Sequence, residues 1–503
     1  MTGRPAAGPG GPGGGPIRFG GEMTGVEALM WRLGRHDPRF RATMSLVVTL
    51  EGPVPLAELE SRLAALCQSV PRLRERVRDS ALAMVPPGWE PDPSFSLDHH
   101  LAVAAGPVWD VASSVVETAF EEDRPPWRVV VPSPLPAASA PAPPAASAPA
   151  PAAVVLHLHH SYTDGLGGMR LLAELFDLEA GPQGPGAAPG PRAGSDPGLR
   201  SGPGPGAAGM GEPSLGPTPP FPGSLSEVLR NLEGEMRRAA HLWSRALPWA
   251  SRTLAAAHND PAGLLRSAAE LAAALQAHAG AAFGPASPIL SGRSAGVVLA
   301  PLRLDLGEMR RVAARAGATV NDVFLAGLLD GLARYHSKHG SVSPSLRLGM
   351  PISSRESGVD LRNQVFGAVM RGPLGSLDFD ERVRLVHEIV LQARNQPWAS
   401  FVEDAAEGAV RLPGAVRAVA AVLSSLDVLA SNVTGPPVPM WLAGVPVSSM
   451  TPVGPRSGAA LNATLLSYRG DVSIGLNVDP AAVGDPEVLF DCLGSAFEEA
   501  LGS

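Results

Sequence analysis

Cysteine is nearly absent from this 503-residue chain: there are two, Cys67 and Cys492, far apart and without a CxxC companion. A disulfide framework and a thiolate metal site are thereby excluded, and a reducing cytosol is the simplest setting. Lysine is scarcer still, Lys338 standing alone, so the cations are almost all arginine. Charged residues make up 17% of the chain, and 40 Lys+Arg against 48 Asp+Glu leave a net charge of −8. With an acidic balance and no basic cluster, nucleic acid is not an expected partner. No window reaches roughly 18 uninterrupted apolar residues, so no membrane span is expected. The nearest approach, 415–433, is broken by Arg417, three serines, Asp427 and Asn432. The first 21 residues are Gly/Pro-rich and lack the basic-then-apolar pattern of a secretory leader.

What the chain does have is apolar residues, 45% of the total, enough to fill a large core and to exclude global disorder. At roughly 100–200 residues per domain the length suggests two or three domains. Three low-complexity stretches divide it: the tail 1–21, a Pro/Ala insert at 132–153, and a Gly/Pro-rich linker at 180–223. None can bury enough apolar area to offset its ordering entropy, so all three are expected to be flexible or polyproline-like. The remaining chain forms two structured parts, 22–179 and 224–503.

In the first part, 43–50 reads as a strand and 56–70 as a helix, and short strands at 128–131 and 154–157 flank the insert. A helix is expected at 168–178. In the second part helices are expected at 225–247, 262–281, 320–336, 382–394 and 487–501. Strands are expected at 297–304, 346–352, 366–370, 461–468 and 472–478. Strands and helices mixed on both sides of one linker imply two α/β lobes.

The stretch richest in chemistry is 154–172, VVLHLHHSYTDGLGGMRLL. An apolar strand ends in His157, Leu158, His159 and His160, and a turn containing Asp164 and Gly165 leads towards a helix. Strand-to-helix junctions place side chains at a sheet edge, where sites are often built. Histidine can take a proton there near neutral pH, its ordinary pKa being about 6.5. A metal reading fails on geometry: strand alternation puts His157 and His159 on one face and His160 on the other, and no further ligand cluster is at hand.

His159-His160-Ser161-Tyr162-Thr163-Asp164-Gly165 resembles the HHxxxDG signature of the CoA-dependent acyltransferase superfamily. Other stretches resemble the bacterial wax ester synthase/diacylglycerol acyltransferase family in the expected order. They are Met23 to Ala28, the Arg-rich turn Pro71 to Arg76, Pro125-Pro126-Trp127 (its PLW), Asn321-Asp322 (its ND), Met350 to Arg355, Ser431 to Pro436, Ser467 to Gly470, and Asp479. Departures are Pro126 for the Leu of PLW, Thr434 for a Pro, Arg362 where a Gly is usual, and the Pro/Ala insert itself.

The resemblance implies two α/β lobes forming a pseudo-dimer with a tunnel between them. It implies transfer of an acyl group from acyl-CoA, a substrate rather than a cofactor, to diacylglycerol or a fatty alcohol, with no metal. His160 is expected to be the general base, His159 to pack behind the turn, and Asp164 with Gly165 to shape it, Asp164 pairing with Arg355. Asn321, Asp322, Trp127 and Arg355 are the candidate substrate-binding residues. Each accessory residue also has a plainer reading, Asp322 as a helix cap within Thr319-x-x-Asp322 and Trp127 as core. A cytoplasmic protein, peripheral on the inner membrane or lipid droplets, is expected. Two other functions fit the same residues: a condensation-type enzyme whose donor rides on a carrier protein, and a lipid binder without turnover.

Overall fold

β-Branched residues make up half of Thr43–Leu50, and this strand, β1, is the middle of a seven-stranded sheet. A computed structural model describes residues 21–79, 87–133, 152–162, 168, 174–178, 286–353, 365–394, 416, 420 and 423–502. The predicted helices at 225–247 and 262–281, the linker and most of the insert lie outside these residues. The described residues belong to one compact unit, 1–181 with 259–503.

The first half supplies helix α1 (Gly25–His36), β1, helix α2 (Leu56–Ser69), the small hairpin β2 (Glu75–Arg78) and β3 (Gly88–Pro91), and β4 (Leu101–Ala105). Helix α3 (Val108–Glu117), β5 (Trp127–Ser133), β6 (Ala152–His159) and β7 (Phe176–Asp177) follow. The second half supplies β8 (Val298–Asp305), helices α4 (Leu306–Ala316) and α5 (Val320–Lys338), β9 (Ser345–Ser353) and β10 (Val365–Pro373). It continues with helix α6 (Phe379–Arg394), β11 (Val428–Val433), β12 (Trp441–Leu442), β13 (Val445–Val453), β14 (Leu461–Tyr468), β15 (Asp471–Val478) and helix α7 (Pro486–Gly502). Among the described residues no single helix is long and apolar enough to cross a membrane.

The strands form two mixed sheets, in the orders β4-β5-β6-β1-β13-β12-β7 and β10-β9-β11-β14-β15-β8. The chain does not divide at the linker into two self-contained sheets. Strands β12 and β13, from the far end of the second half, complete the first sheet, β13 pairing antiparallel with β1 from Ser45–Val453 to Leu50–Val447. A second correction concerns 168–178, expected to be one helix: Phe176–Asp177 is a strand, paired with Trp441–Leu442.

Each sheet is apolar on the faces it buries. Leu46, Val48, Leu156 and Leu158 pack with Leu59, Leu63 and Leu66 of α2. Val47 and Val155, on the opposite face, pack with Val111, Ala112 and Val115 of α3 and with Leu299 of β8. In the second lobe α5, α6 and α7 cover a core that includes Phe324, Val386 and Phe497. The lobes meet where β13 crosses β15. A Cβ at Gly475 would lie 1.7 Å from the carbonyl oxygen of Pro452, so only glycine allows this approach. Tyr468 secures the crossing: its hydroxyl accepts from the Met440 N–H at 3.0 Å and donates to the Val447 carbonyl at 3.2 Å.

Candidate active site

Strand β6 is buried on both faces, ends at His159, and is stopped by a tight turn. The Tyr162 N–H donates to the His159 carbonyl at 3.1 Å, leaving His160 and Ser161 as the two central residues. The strand end is pinned on both sides. The His159 N–H donates to Pro126 O at 3.0 Å, and the His160 N–H donates to Ala42 O at 2.7 Å. His160 sits half-buried just past the sheet, its own N–H held by Ala42 and that of the preceding residue by Pro126.

The two preceding histidines have different environments. His157, 1% exposed, has Nδ1 2.7 Å from the Ser45 hydroxyl and its ring stacked on Phe120. His159, 6% exposed, accepts at Nδ1 from the Ser161 N–H at 3.1 Å, so its proton rides on Nε2. With Nδ1 unprotonated, the Ser161 hydroxyl 2.8 Å away is also a donor to it. The His159 ring meets Trp31 of α1 edge-on at 5.0 Å. Burial pushes the pKa of each down to about 3, with the neighbouring Arg128 and His160 charges adding to the effect at His157 and His159 respectively. Both are neutral at any physiological pH.

The first-half motifs gather around this turn. Trp127, 6% exposed, is stacked on His100 with centroids 4.3 Å apart and donates its indole N–H to Leu73 O at 2.8 Å. It lies in the α2-side core, which is the plainer of its two sequence readings. Its polar atom is occupied and its ring is covered by His100. The Arg-rich turn that supplies Leu73 also supplies Arg72, buried, 3.1 Å from Glu75 and 4.5 Å over the Trp89 ring. Trp89 in turn lies against Tyr162, with centroids 4.8 Å apart. A continuous stack thus runs from Arg72 to the residue that closes the histidine turn.

The second-half motifs converge separately, at the start of α5. Thr319 and Asp322 form a reciprocal capping box. The Asp322 carboxylate, 1% exposed, accepts from the Thr319 N–H at 2.9 Å and hydroxyl at 2.7 Å, and lies 2.7 Å from Nδ1 of His387 on α6. Its capping reading holds. Asn321, one residue earlier, directs Nδ2 at the Met350 sulfur, 3.6 Å away, and receives Nδ2 of Asn432 on Oδ1 at 3.5 Å. Sequence reasoning placed Met350 and Asn432 in motifs without roles and missed His387, Trp31 and Ser161. Ser161 stood inside the signature itself, whereas no local signal marks His387. Asp164, Gly165 and Arg355 lie outside the described residues.

A small crevice, with room for little more than a water molecule, lies beside Thr43, the register partner of His159, and is lined by Arg39, Arg41, Val116, Arg456 and Asn477 among others. Arg39 is paired with Asp37 and Arg456 with Asp479, so the guanidinium charge there is largely compensated.

A family model described as wax ester synthase/diacylglycerol acyltransferase catalytic domain matches residues 23–140 and 148–324. The WS/DGAT C-terminal domain model matches residues 362–500. The chain is 26% identical over 500 residues to a Mycobacterium tuberculosis protein named as a diacylglycerol O-acyltransferase, covering 96% of this chain and 92% of that one. Among solved structures it is similar to the wax ester synthase/diacylglycerol acyltransferase of Marinobacter aquaeolei VT8. That match has a TM-score of 0.56 at 18% identity and covers 96% of this chain and all of that one (100%). It is also similar to the first condensation domain of the calcium-dependent antibiotic synthetase, with a TM-score of 0.54 at 16% identity over 96% of each chain. At such identities these two likenesses show the shared two-lobed α/β fold.

Proposed function

The chain belongs to the wax ester synthase/diacylglycerol acyltransferase family, and from that premise we propose that it moves a fatty acyl group from acyl-CoA to the hydroxyl of diacylglycerol or a long-chain alcohol, with His160 as general base. The observation that carries the assignment of the base is the contrast along one strand. His157 and His159 are buried and held neutral, while His160 stands at a turn past the strand end, half-buried and with its main chain tied to Ala42.

An alcohol is a poor nucleophile at neutral pH, so its proton must be removed as the C–O bond forms. Neutral His160 accepts that proton while the hydroxyl oxygen attacks the thioester carbonyl. The C–S bond then breaks and the imidazolium returns the proton to the CoA sulfur, so no net charge is left on the enzyme. The oxyanion formed on the way needs a donor, and Asn321 is the side chain assigned to it. Its carbonyl is engaged by Asn432, and among the described residues its N–H₂ is matched to a thioether, a weak acceptor. Acyl-CoA and acceptor would approach through a tunnel between the lobes. Acceptors of this class partition into lipid, which supports a cytoplasmic enzyme working peripherally at a membrane or lipid-droplet surface, without a metal or cofactor.

The test is purified protein with radiolabelled palmitoyl-CoA, offered hexadecanol and dioleoylglycerol in parallel, with product chromatography. Wax ester or triacylglycerol that depends on His160 supports the reading. Turnover that needs a carrier-protein-bound donor, or no turnover at all, overturns it.

A further inference from the structure

Strands β9 and β11 are parallel neighbours, yet their ladder holds only two register pairs, Val428–Leu348 and Leu429–Gly349. Both strands run on, to Ser353 and Val433, so they splay towards their carboxyl ends. Crevices at the carboxyl ends of parallel strands are where α/β folds receive ligands. Met350 lies on one side of this split and Asn432 on the other, and the first turn of α5 brings Asn321 between them. The start of that 19-residue helix adds a partial positive charge to the same point.

We propose that Asn432 is a positioning residue: by donating Nδ2–H to Oδ1 of Asn321 it fixes the orientation of that amide, so that Asn321 presents N–H rather than C=O to the reacting carbonyl. This rests on the assignment of Asn321 to the oxyanion and deepens it. A side-chain amide can be turned over by a half rotation about its last torsion, exchanging a donor for an acceptor at almost the same place. The cap that holds Asp322 fixes the backbone beneath Asn321 but not that final torsion. Asn432 supplies the missing constraint, because a donor facing Asn321 is satisfied only when Oδ1 points at it. The other end then faces Met350, whose sulfur is too weak an acceptor to compete with a developing oxyanion. Asn432 is exposed, so its replacement leaves no buried orphan behind.

The experiment compares Asn432→Ser, Asn432→Ala and Asn432→Asp, each alone and combined with Asn321→Ala, by kcat, KM and thermal melting. Removing one oxyanion donor typically costs about 10²–10³-fold in kcat, which is the loss expected for Asn321→Ala. Serine keeps a donor and should hold kcat within about 5-fold; alanine frees the amide without reversing it and should lose about 10-fold, short of the full cost of a deleted donor. Aspartate offers only acceptors, reverses the amide and should lose about 10²-fold, as a full donor deletion does. KM and melting temperature should change little, and none of the three should matter in the Asn321→Ala background. Equal kcat for the serine, alanine and aspartate variants, or losses that persist undiminished in the Asn321→Ala background, would overturn the role of Asn432. Wild-type kcat in Asn321→Ala alone would overturn the oxyanion assignment and this inference with it.

Discussion

Ser161 donates to Nδ1 of His159 from its own main chain and from its hydroxyl at once. The residue after the proposed base therefore locks the residue before it in a single tautomer. His159 cannot accept a proton at that nitrogen while the turn is intact, and its ring is closed off by Trp31.

His160→Ala should lose about 10²–10⁴-fold in kcat, the usual worth of general base catalysis. Its melting temperature should stay near wild type, since the backbone bond to Ala42 survives the substitution. Steady-state rates on both acceptors and a thermal melt decide it. A variant keeping more than about a tenth of the wild-type rate would remove His160 from the role. His159→Ala should instead lower the melting temperature, because it deletes a buried ring packed on Trp31.

Stability should fall on mild acidification. His157 and His159 are pushed down to about 3 by burial, while an unfolded chain takes up the same protons near pH 6.5. The contribution of each is therefore fully present above about pH 6.5 and is lost progressively as pH falls towards 3, at up to about 1.4 kcal/mol per pH unit. Urea midpoints between pH 7.5 and 5 should decline, and His157→Gln, which cannot take the proton, should flatten the slope. An unchanged slope in that variant would show that His157 does not contribute.

Trp127→Ala should destabilise by about 3–5 kcal/mol, the typical cost of deleting a buried aromatic. Trp127→Phe should cost less, losing chiefly the indole bond to Leu73. The rate per folded molecule should be unchanged in the phenylalanine variant. A KM raised several-fold with normal stability would return Trp127 to the substrate.

Gly475→Ala places a methyl group against the Pro452 carbonyl, backbone against backbone, where no side chain can move aside. Overpacking of this kind typically costs about 1–3 kcal/mol or more. The soluble fraction and melting temperature should both drop, whereas Gly494→Ala, at a glycine with open space around it, should be tolerated. Equal melting of the two variants would mean that the lobes are not joined there.

The two-lobed architecture was legible where strands were continuous and β-rich. Thr43–Leu50 and Leu461–Tyr468 match their expected limits to the residue. Strand β13, VPVSSMTPV, escaped notice because Pro446, Pro452 and two serines interrupt any alternation, and proline argues against a central strand. Its strand identity comes from β1 and from the close cover of β15, which are tertiary facts. Helix α4 is different: Asp305 caps it, Gly317 ends it in the left-handed region, and Met309, Val312 and Ala316 give it an apolar stripe. That signal was present and could have been read. At the site, the histidine strand was legible because its residues are contiguous. The partners Asn432 and His387 stand 111 and 65 residues from Asn321 and Asp322, respectively, and no local pattern encodes a contact of that span.

The exchange of β13 into the first sheet also sets an order for biosynthesis. Until residue 453 has been made, β1 has an open edge where Met450 and Thr451 will later pair. The histidine strand is assembled early, but the sheet that holds it stays unfinished until nine-tenths of the chain exists. Long-range pairing of this kind folds slowly, and an exposed edge invites pairing with other chains in the interval. A nascent chain stopped after the linker would present that edge permanently, so the two halves are one folding unit whatever their separate shapes.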